Sequence, residues 1–294
     1  MKKMAKVLVT GGLGYVGGAL LERLERYGKD YLSIDKRYPR SEAKTVAVNL
    51  CDRDAIVTLI RVYKPDTLVH CGTNSALAYR DNLLQAFRED AEGTANILEA
   101  LTGYRDCRLI YFSSSYCYSG LPRNEAMSET TPLRPVHNFG LGKAFFEQLM
   151  LRNHPNTIVF RLSSVFGPGN ALHPNAVYDM AKECLDTGKV AVWGAGSRKM
   201  QYVYIDDVLG YIAATPDLAP GLYNLGGDEY LSVAESAKMI SELLSAEMIF
   251  LNKKHEGETL PFMFTGKIKQ TAGDHFTPFA TALERYLKWL TLVS

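Results

Sequence analysis

An excess of charge of one sign is missing from this chain. Its 294 residues carry 33 Lys and Arg against 32 Asp and Glu, a formal net charge of +1. That balance removes the overall electrostatic case for a nucleic-acid partner or an acidic membrane surface. No apolar run approaches the roughly 18 residues that a spanning helix needs, so no membrane partner is expected. The N-terminus, Met1 to Lys6, is basic, but Thr10-Gly11-Gly12 interrupts the short apolar run behind it. This reads as a first strand, not as a secretory leader. Cysteine is sparse: Cys51, Cys71, Cys107, Cys117 and Cys184 are odd in number, scattered, and form no CxxC pair. No zinc or redox motif results, no metal site is expected, and free thiols in a cytoplasmic protein are the simplest account. Internal repeats and low-complexity linkers are also lacking. What is present is apolar surface, 47% of residues, enough to bury a large core. The length accommodates one large α/β domain, or a larger and a smaller lobe.

Strand-like runs alternate with helix-length segments. Strands are expected at 6–10, 31–34, 45–48, 67–70, 108–112 and 157–162, and helices at 15–27, 55–62, 84–101 and 139–152. Alternation of this kind predicts a doubly wound parallel sheet. Beyond about residue 165 the pattern loosens. Gly167-Pro168-Gly169-Asn170 and His173-Pro174-Asn175 are loop signals. Short strands are expected at 190–193, 202–205 and 222–225, and helices at 178–187, 232–244 and 278–290. The expected division is a dinucleotide-binding domain over 1–165, its core extending into later segments, and a mainly substrate-binding lobe over 166–294. A ligand cleft would lie between them.

The sharpest local signal is Gly11-Gly12-Leu13-Gly14-Tyr15-Val16-Gly17, directly after one strand and opening a helix. Glycines at this spacing permit a tight turn and the close approach of a pyrophosphate, whose charge meets backbone N–H groups and the helix N-terminus. Asp35 ends the second strand about 20 residues on, where a carboxylate bonds the adenosine ribose hydroxyls. A 2′-phosphate beside Asp35 would be repelled, which favours NAD over NADP. Lys36 and Arg37 follow at once and weaken that preference.

With these residues in view, the chain resembles the extended short-chain dehydrogenases/reductases, the NAD-dependent epimerase/dehydratase family. Thr10 to Gly17 is similar to the family's TGGxGFIG. Val69-His70-Cys71-Gly72-Thr73 resembles VxHLAA, and Gly93 to Ala100 resembles GTxNLLEA. Phe112-Ser113-Ser114-Ser115 resembles FSSS, and Arg161 to Pro168 resembles RxxNVYGP. Tyr202 to Val208 resembles FVYVDDV, and Tyr223-Asn224-Leu225-Gly226 resembles YNVG. Seven matches in order are far more specific than any one. The resemblance implies a Rossmann fold, NAD as cofactor and a nucleotide-linked sugar as substrate, altered by epimerisation or keto-reduction. It implies a homodimer built on helices 84–101 and 139–152. It implies cofactor contacts from Gly11, Gly14, Tyr15, Val16, Asp35, Lys36, Asn49, Leu50, Cys71, Gly72, Thr73, Lys143 and Ser163. Substrate contacts are implied at Ser114, Ser164 and Arg198.

In the family a Ser or Thr, a Tyr and a Lys manage the proton. Ser115 and Lys143 match two of these. The tyrosine position, one helical turn before Lys143, holds Phe139, which keeps the ring and lacks the hydroxyl. Three accounts stand open: an engineered Tyr-to-Phe change, another acid/base, or a catalytically silent family member that binds the dinucleotide. Cys117 stands where family dehydratases place a Glu and where GDP-fucose synthase places a Cys. It is therefore a candidate acid/base, although a small buried residue is the alternative. Tyr116, Tyr118 and Tyr178 are further hydroxyl sources, and His173 a further candidate. The Asp-Glu pair of 4,6-dehydratases is replaced by Tyr116-Cys117, which argues against ordinary 4,6-dehydration. In the substrate half, Ser164 replaces the Asn of RxxN. Met200 stands near the position of a family Arg, with Arg198 and Lys199 just before it as candidate phosphate partners.

Overall fold

The structure, a computed structural model, describes residues 5–169, 175–252 and 255–293. His173 lies outside the described residues. The first half runs β1 (Lys6–Thr10), α1 (Tyr15–Arg26), β2 (Asp30–Ile34), β3 (Thr45–Val46), α2 (Arg53–Tyr63), β4 (Thr67–His70), α3 (Ala76–Asp81), α4 (Leu83–Ala100) and β5 (Arg108–Ser114). A 3-10 turn over Ser115–Tyr118, β6 (Ala126–Met127), α5 (Asn138–Asn153) and β7 (Thr157–Leu162) follow. The second half has β8 (Ser164–Phe166), α6 (Ala176–Thr187), β9 (Lys189–Trp193), β10 (Lys199–Tyr204), α7 (Ile205–Ala213) and β11 (Gly221–Leu225). It ends with β12 (Tyr230–Ser232), α8 (Val233–Leu243), β13 (Glu247–Leu251), β14 (Phe262–Met263), α9 (Gly266–Ala272) and α10 (Phe279–Val293).

Seven parallel strands form the main sheet in the order β11-β7-β5-β4-β1-β2-β3. Alternate residues of its strands serve two cores, as the period of two requires. Leu8, Leu68, Leu109, Tyr111 and Val159 face α2, α4 and α5. Val9, Val69, Ile110, Phe112, Ile158 and Phe160 face the other side, where Leu20 of α1, Val208 of α7 and Leu283 of α10 pack. Helices on both faces of a parallel sheet make this a Rossmann-like fold.

β11, from late in the chain, pairs with β7 over Gly221–Leu225 and completes the sheet. The second core continues without a break into Val177, Ile240 and Leu287 of the smaller lobe, so the halves share one packed interior. That lobe holds the β12-β10-β8 sheet and the β13-β9 and β14-β6 pairs.

Several elements differ from the sequence reading. The helices α3, α7 and α9 and the strands β6, β8, β12, β13 and β14 were not expected. Ile205, expected to end a strand, opens α7 instead. Asp206 and Asp207 stand in that helix's first turn, where the dipole favours negative charge. β3 is two residues long rather than four, because Ala47 turns away to bond the Ser41 hydroxyl.

Candidate active site

β1 and β4 are spatial neighbours but belong to opposite winding directions, and ligands bind at such a switch point, off the C-terminal strand ends. Here the strand ends open a cleft of about 760 Å³. Its floor is the glycine loop. Gly11 has φ +72°, and a Cβ on it would lie 2.6 Å from the Gly72 Cα. A Cβ on Gly17 would lie 2.2 Å from the Gly11 carbonyl oxygen. Only glycine permits β1, β4 and α1 to converge this closely. No side chain caps α1, and no acidic residue stands in its first turn, so the first-turn N–H groups face the cleft uncapped. That is a cradle for a phosphate group.

The acidic strand end is in place. The Asp35 carboxylate accepts hydrogen bonds from Leu13 N (3.0 Å), Arg37 N (2.9 Å), Arg37 Nε (3.0 Å) and an Arg37 terminal nitrogen (2.8 Å). Burial opposes its charge, but the Arg37 guanidinium and the two backbone donors outweigh that and hold the carboxyl below its ordinary range. Lys36 pairs with Glu89 at 3.1 Å. Leu50 is wedged between Gly72 and Gly93: a Cβ on the first would meet its Cδ1 at 2.8 Å, and one on the second its Cβ at 3.0 Å. The Leu50 carbonyl is fixed by Asn96 Nδ2 at 2.8 Å, and the neighbouring Asn49 side chain accepts from Cys51 N at 3.1 Å.

At the other end, Lys143 projects from α5 under the cleft. Its ammonium donates to Thr73 Oγ1 and to the Phe112 carbonyl, each at 2.9 Å. Burial lowers its pKa, while the nearby Asp90, Cys117 and Cys71 act in the opposite direction. Asp90 is a buried carboxylate on the cleft wall, held by Asn74 N (2.9 Å), Asn74 Nδ2 (3.0 Å) and the Tyr79 hydroxyl (2.9 Å). The Phe139 ring sits 5.5 Å from Lys143 Nζ, edge-on to Tyr79 (5.8 Å) and Tyr116 (5.9 Å). α5 reaches this position because Gly140 lacks a Cβ, which would lie 2.5 Å from the Tyr116 carbonyl oxygen. The side chains of Ser115 and Tyr116 make no hydrogen bond among the described residues, and Ser163 Oγ is buried without a partner. Three hydroxyls therefore remain available to a ligand.

The cleft brings together Gly11, Gly14, Tyr15, Val16, Asp35, Lys36, Asn49, Leu50, Cys71, Gly72, Thr73, Ser114, Ser115, Phe139, Lys143, Ser163, Ser164 and Arg198. It does not include Cys117, and the geometry around that residue favours the alternative of a small buried side chain over an acid/base. Its side chain is fully buried behind the wall, against Ser113 Oγ (3.4 Å) and the Gly140 carbonyl (3.7 Å). Burial pushes its thiol up to about 11, so the reactive thiolate is disfavoured. Tyr118 is likewise internal: its hydroxyl bonds Ser128 O and Asn224 Oδ1, both at 3.0 Å. Tyr178 is absent from the lining, as is Lys199, whose ammonium lies over the Tyr230 ring, whereas Arg198 lines the cleft while its Nε donates to the Glu258 carbonyl at 2.9 Å. Asn74, Asp90, Asn175, Gln201 and Pro261 line the cleft and were not anticipated, because no local pattern marks them.

A glycine cradle, a helix N-terminus and an acidic strand end in one cleft of a parallel sheet define a dinucleotide-binding protein of the Rossmann class. The model of the NAD dependent epimerase/dehydratase family matches residues 7–226, and the chain belongs to that family. Its members include nucleotide-sugar epimerases, dehydratases and reductases of the extended short-chain type, and the family's cofactor is NAD. The chain is 25% identical to a dTDP-glucose 4,6-dehydratase of Neisseria meningitidis over 82% of this chain and 76% of that protein. It is 23% identical to a dTDP-4-dehydro-6-deoxy-D-allose reductase of a Streptomyces species, over 97% and 96% of the two chains. Among solved structures it superposes on MoeE5, determined with UDP-glucuronic acid and NAD, with a TM-score of 0.85. Identity there is 20%, and coverage is 98% of this chain and 100% of that one.

Proposed function

We propose that this protein binds NAD in the cleft and alters a nucleotide-linked sugar by epimerisation or keto-reduction. The observation that carries the reading is convergence: the glycine cradle, Asp35, Ser115 and Lys143 stand in a single cleft. The cofactor supplies or accepts the hydride exchanged with a sugar carbon. The protein's part is to hold and protonate. The α1 N-terminus and glycine loop hold the pyrophosphate, and Asp35 meets the adenosine ribose. Lys143 bonds the nicotinamide ribose and supplies positive charge beside the reacting oxygen. Ser115 donates to the sugar's hydroxyl or keto oxygen. Phe139 carries no proton, so Tyr116 does, the cleft tyrosine whose hydroxyl is unengaged. Tyr15, the other tyrosine on the wall, is bonded to the Gly167 carbonyl at 2.8 Å, and burial raises its pKa. Ser114, Ser164 and Arg198 also line the cleft, and the sugar nucleotide would sit against them.

A panel of UDP-, GDP-, dTDP- and CDP-sugars, followed by thermal shift and nicotinamide absorbance, tests this. A ligand that binds the fold raises its apparent stability by mass action. We expect one nucleotide class to stand out and to give hydride transfer that Tyr116→Phe removes and Phe139→Tyr restores. Phe139 itself favours a second reading, a family member that binds the dinucleotide and is catalytically silent. NAD binding without hydride transfer from any of the sugars would establish that reading. Tightly co-purifying NAD, seen by mass spectrometry, would favour epimerisation over reduction.

We also propose a homodimer. Leu77 of α3, Leu84 and Phe87 of α4, and Leu141 and Phe145 of α5 are exposed, and the Phe87 and Phe145 rings lie 5.6 Å apart in one apolar patch. The five free thiols fit a cytoplasmic setting.

A further inference from the structure

Three carboxylates line the cleft, and two of them already have a cation: Asp35 pairs with Arg37, and Glu89 with Lys36. Asp90, only 4% exposed, forms no ion pair among the described residues. Its hydrogen bonds come from Asn74 N, Asn74 Nδ2 and the Tyr79 hydroxyl. All three are donors, a set that suits the ionised, acceptor-only carboxylate. Lys143 is buried too and has no direct ion pair among the described residues; its ammonium rests on two neutral oxygens, Thr73 Oγ1 and the Phe112 carbonyl. Thr73 and Asn74 are consecutive, so a cation and an anion grip neighbouring residues of the segment that leaves β4. The other ionisable groups around Lys143 are neutral. Burial pushes the Cys71 thiol up to about 12 and the Cys117 thiol up to about 11, and it holds His70 down to about 3. Burial likewise keeps the Tyr79 and Tyr111 phenols protonated. Glu147 is taken by Arg161, and Phe139 has no hydroxyl to ionise. Among the described residues, Asp90 is therefore the one uncompensated negative charge beside Lys143.

A buried charge without a partner is costly, and a ligand that brings the opposite charge relieves the cost. The nicotinamide ring of a dinucleotide is a cation when oxidised and neutral when reduced. Lys143 alone would disfavour the cation and so favour the reduced form. A carboxylate in the same buried site offsets that repulsion, because attraction there is little screened. We propose that Asp90 sets the redox state in which the dinucleotide is held, favouring the oxidised form through the charge of its ring. The proposal rests on the dinucleotide part of the function above, with the nicotinamide end beside Lys143. A protein that holds the oxidised form takes a hydride from its sugar before giving one back, which is the order that epimerisation requires.

The test measures Kd for NAD+ and for NADH by calorimetry, on the full-length protein freed of bound cofactor, and reads the ratio of the two. Wild type is expected to bind NAD+ at least as tightly as NADH. Asp90→Asn keeps the shape of the side chain and removes its charge. It is expected to shift the ratio about tenfold toward NADH, equivalent to about 30 mV in the potential of the bound two-electron couple. Tyr79→Phe removes one hydrogen bond to Asp90 and keeps the charge, so its ratio should stay within about threefold of wild type. Lys143→Met removes the opposing charge and should shift the ratio toward NAD+ by about threefold or more, while any lost ribose contact weakens both forms and cancels. A merely structural role for Asp90 would weaken both forms alike. A shift of less than about threefold in Asp90→Asn, or a shift toward NAD+, would overturn the proposal, as would a wild-type preference for NADH of more than about tenfold. If Asp90→Asn does not fold, Lys143→Met decides, and a ratio that does not move toward NAD+ overturns the proposal. Failure of wild type to bind either form would instead remove the dinucleotide reading itself.

Discussion

His70 shows how one residue couples the cofactor floor to pH. It ends β4, bonds Thr10 through Nδ1 at 2.8 Å, and leaves Nε2 buried without a partner. Burial first, and the charge of Lys143 second, push its pKa down to about 3. The folded state thus keeps the ring neutral while the unfolded chain takes up a proton below the ordinary value of about 6.5. Stability therefore falls as the pH drops from about 6.5 toward 3, by ~2 kcal/mol at pH 5 from this residue. Urea midpoints at pH 7 and pH 5 check it: the gap should narrow in His70→Phe, and an unchanged gap would assign the acid sensitivity elsewhere. Cys117 makes the contrasting case. Because it lies behind the cleft wall, Cys117→Ser should leave the pH–rate profile of any turnover unmoved, and a displaced profile would return the thiol to the mechanism.

At the scale of elements, helix α5 brings Phe139 and Lys143 to the cleft because it can approach the turn after β5. That approach depends on Gly140, where an added Cβ would meet the backbone oxygen of Tyr116 at 2.5 Å. Backbone does not yield as a flexible side chain does. Gly140→Ala should therefore cost about 1–3 kcal/mol, despite the better helix propensity of alanine. Chemical denaturation measures the loss, and NAD titration should show weaker binding as Lys143 shifts. The glycine loop follows the same physics more severely. Gly17→Ala places a methyl 2.2 Å from the Gly11 oxygen, and it should weaken dinucleotide binding about tenfold or more.

Across the whole molecule, a buried ion pair anchors a hydrogen-bond network that ties the halves together. Arg161 of β7 grips Glu147 of α5 at 3.0 Å and 2.5 Å and also reaches the Tyr118 hydroxyl. Tyr118 passes the network to Asn224 of β11, whose side chain bonds the Met127 and Phe264 carbonyls at 2.8 and 3.2 Å. Both charges are almost fully buried. Glu147→Ala would leave the guanidinium uncompensated and should cost 3–5 kcal/mol, on the order of a third or more of a typical domain's stability. A thermal melt distinguishes this from a local effect. The apolar patch on α3, α4 and α5 sets the assembly prediction: Phe145→Lys should convert a dimer to a monomer in size-exclusion chromatography with light scattering. A wild-type monomer would refute the patch's role.

Much was legible from the chain alone, for a physical reason. A tight turn, a strand end and a helix start are local, so glycine spacing and apolar periodicity declare them within a few residues. The cradle, Asp35 and the main strands were readable in this way. The family resemblance singled out Lys143 and, four residues before it, the missing hydroxyl of Phe139. What the local pattern could not show was which side chains share a surface after distant segments meet. Tertiary structure alone buried Cys117 and Tyr118, closed Arg37 over Asp35, set Tyr116 against Phe139, and brought Asn74 and Asp90 onto the cleft wall. Each of those outcomes depends on a helix–sheet approach decided by packing of the whole interior, which no window of sequence contains.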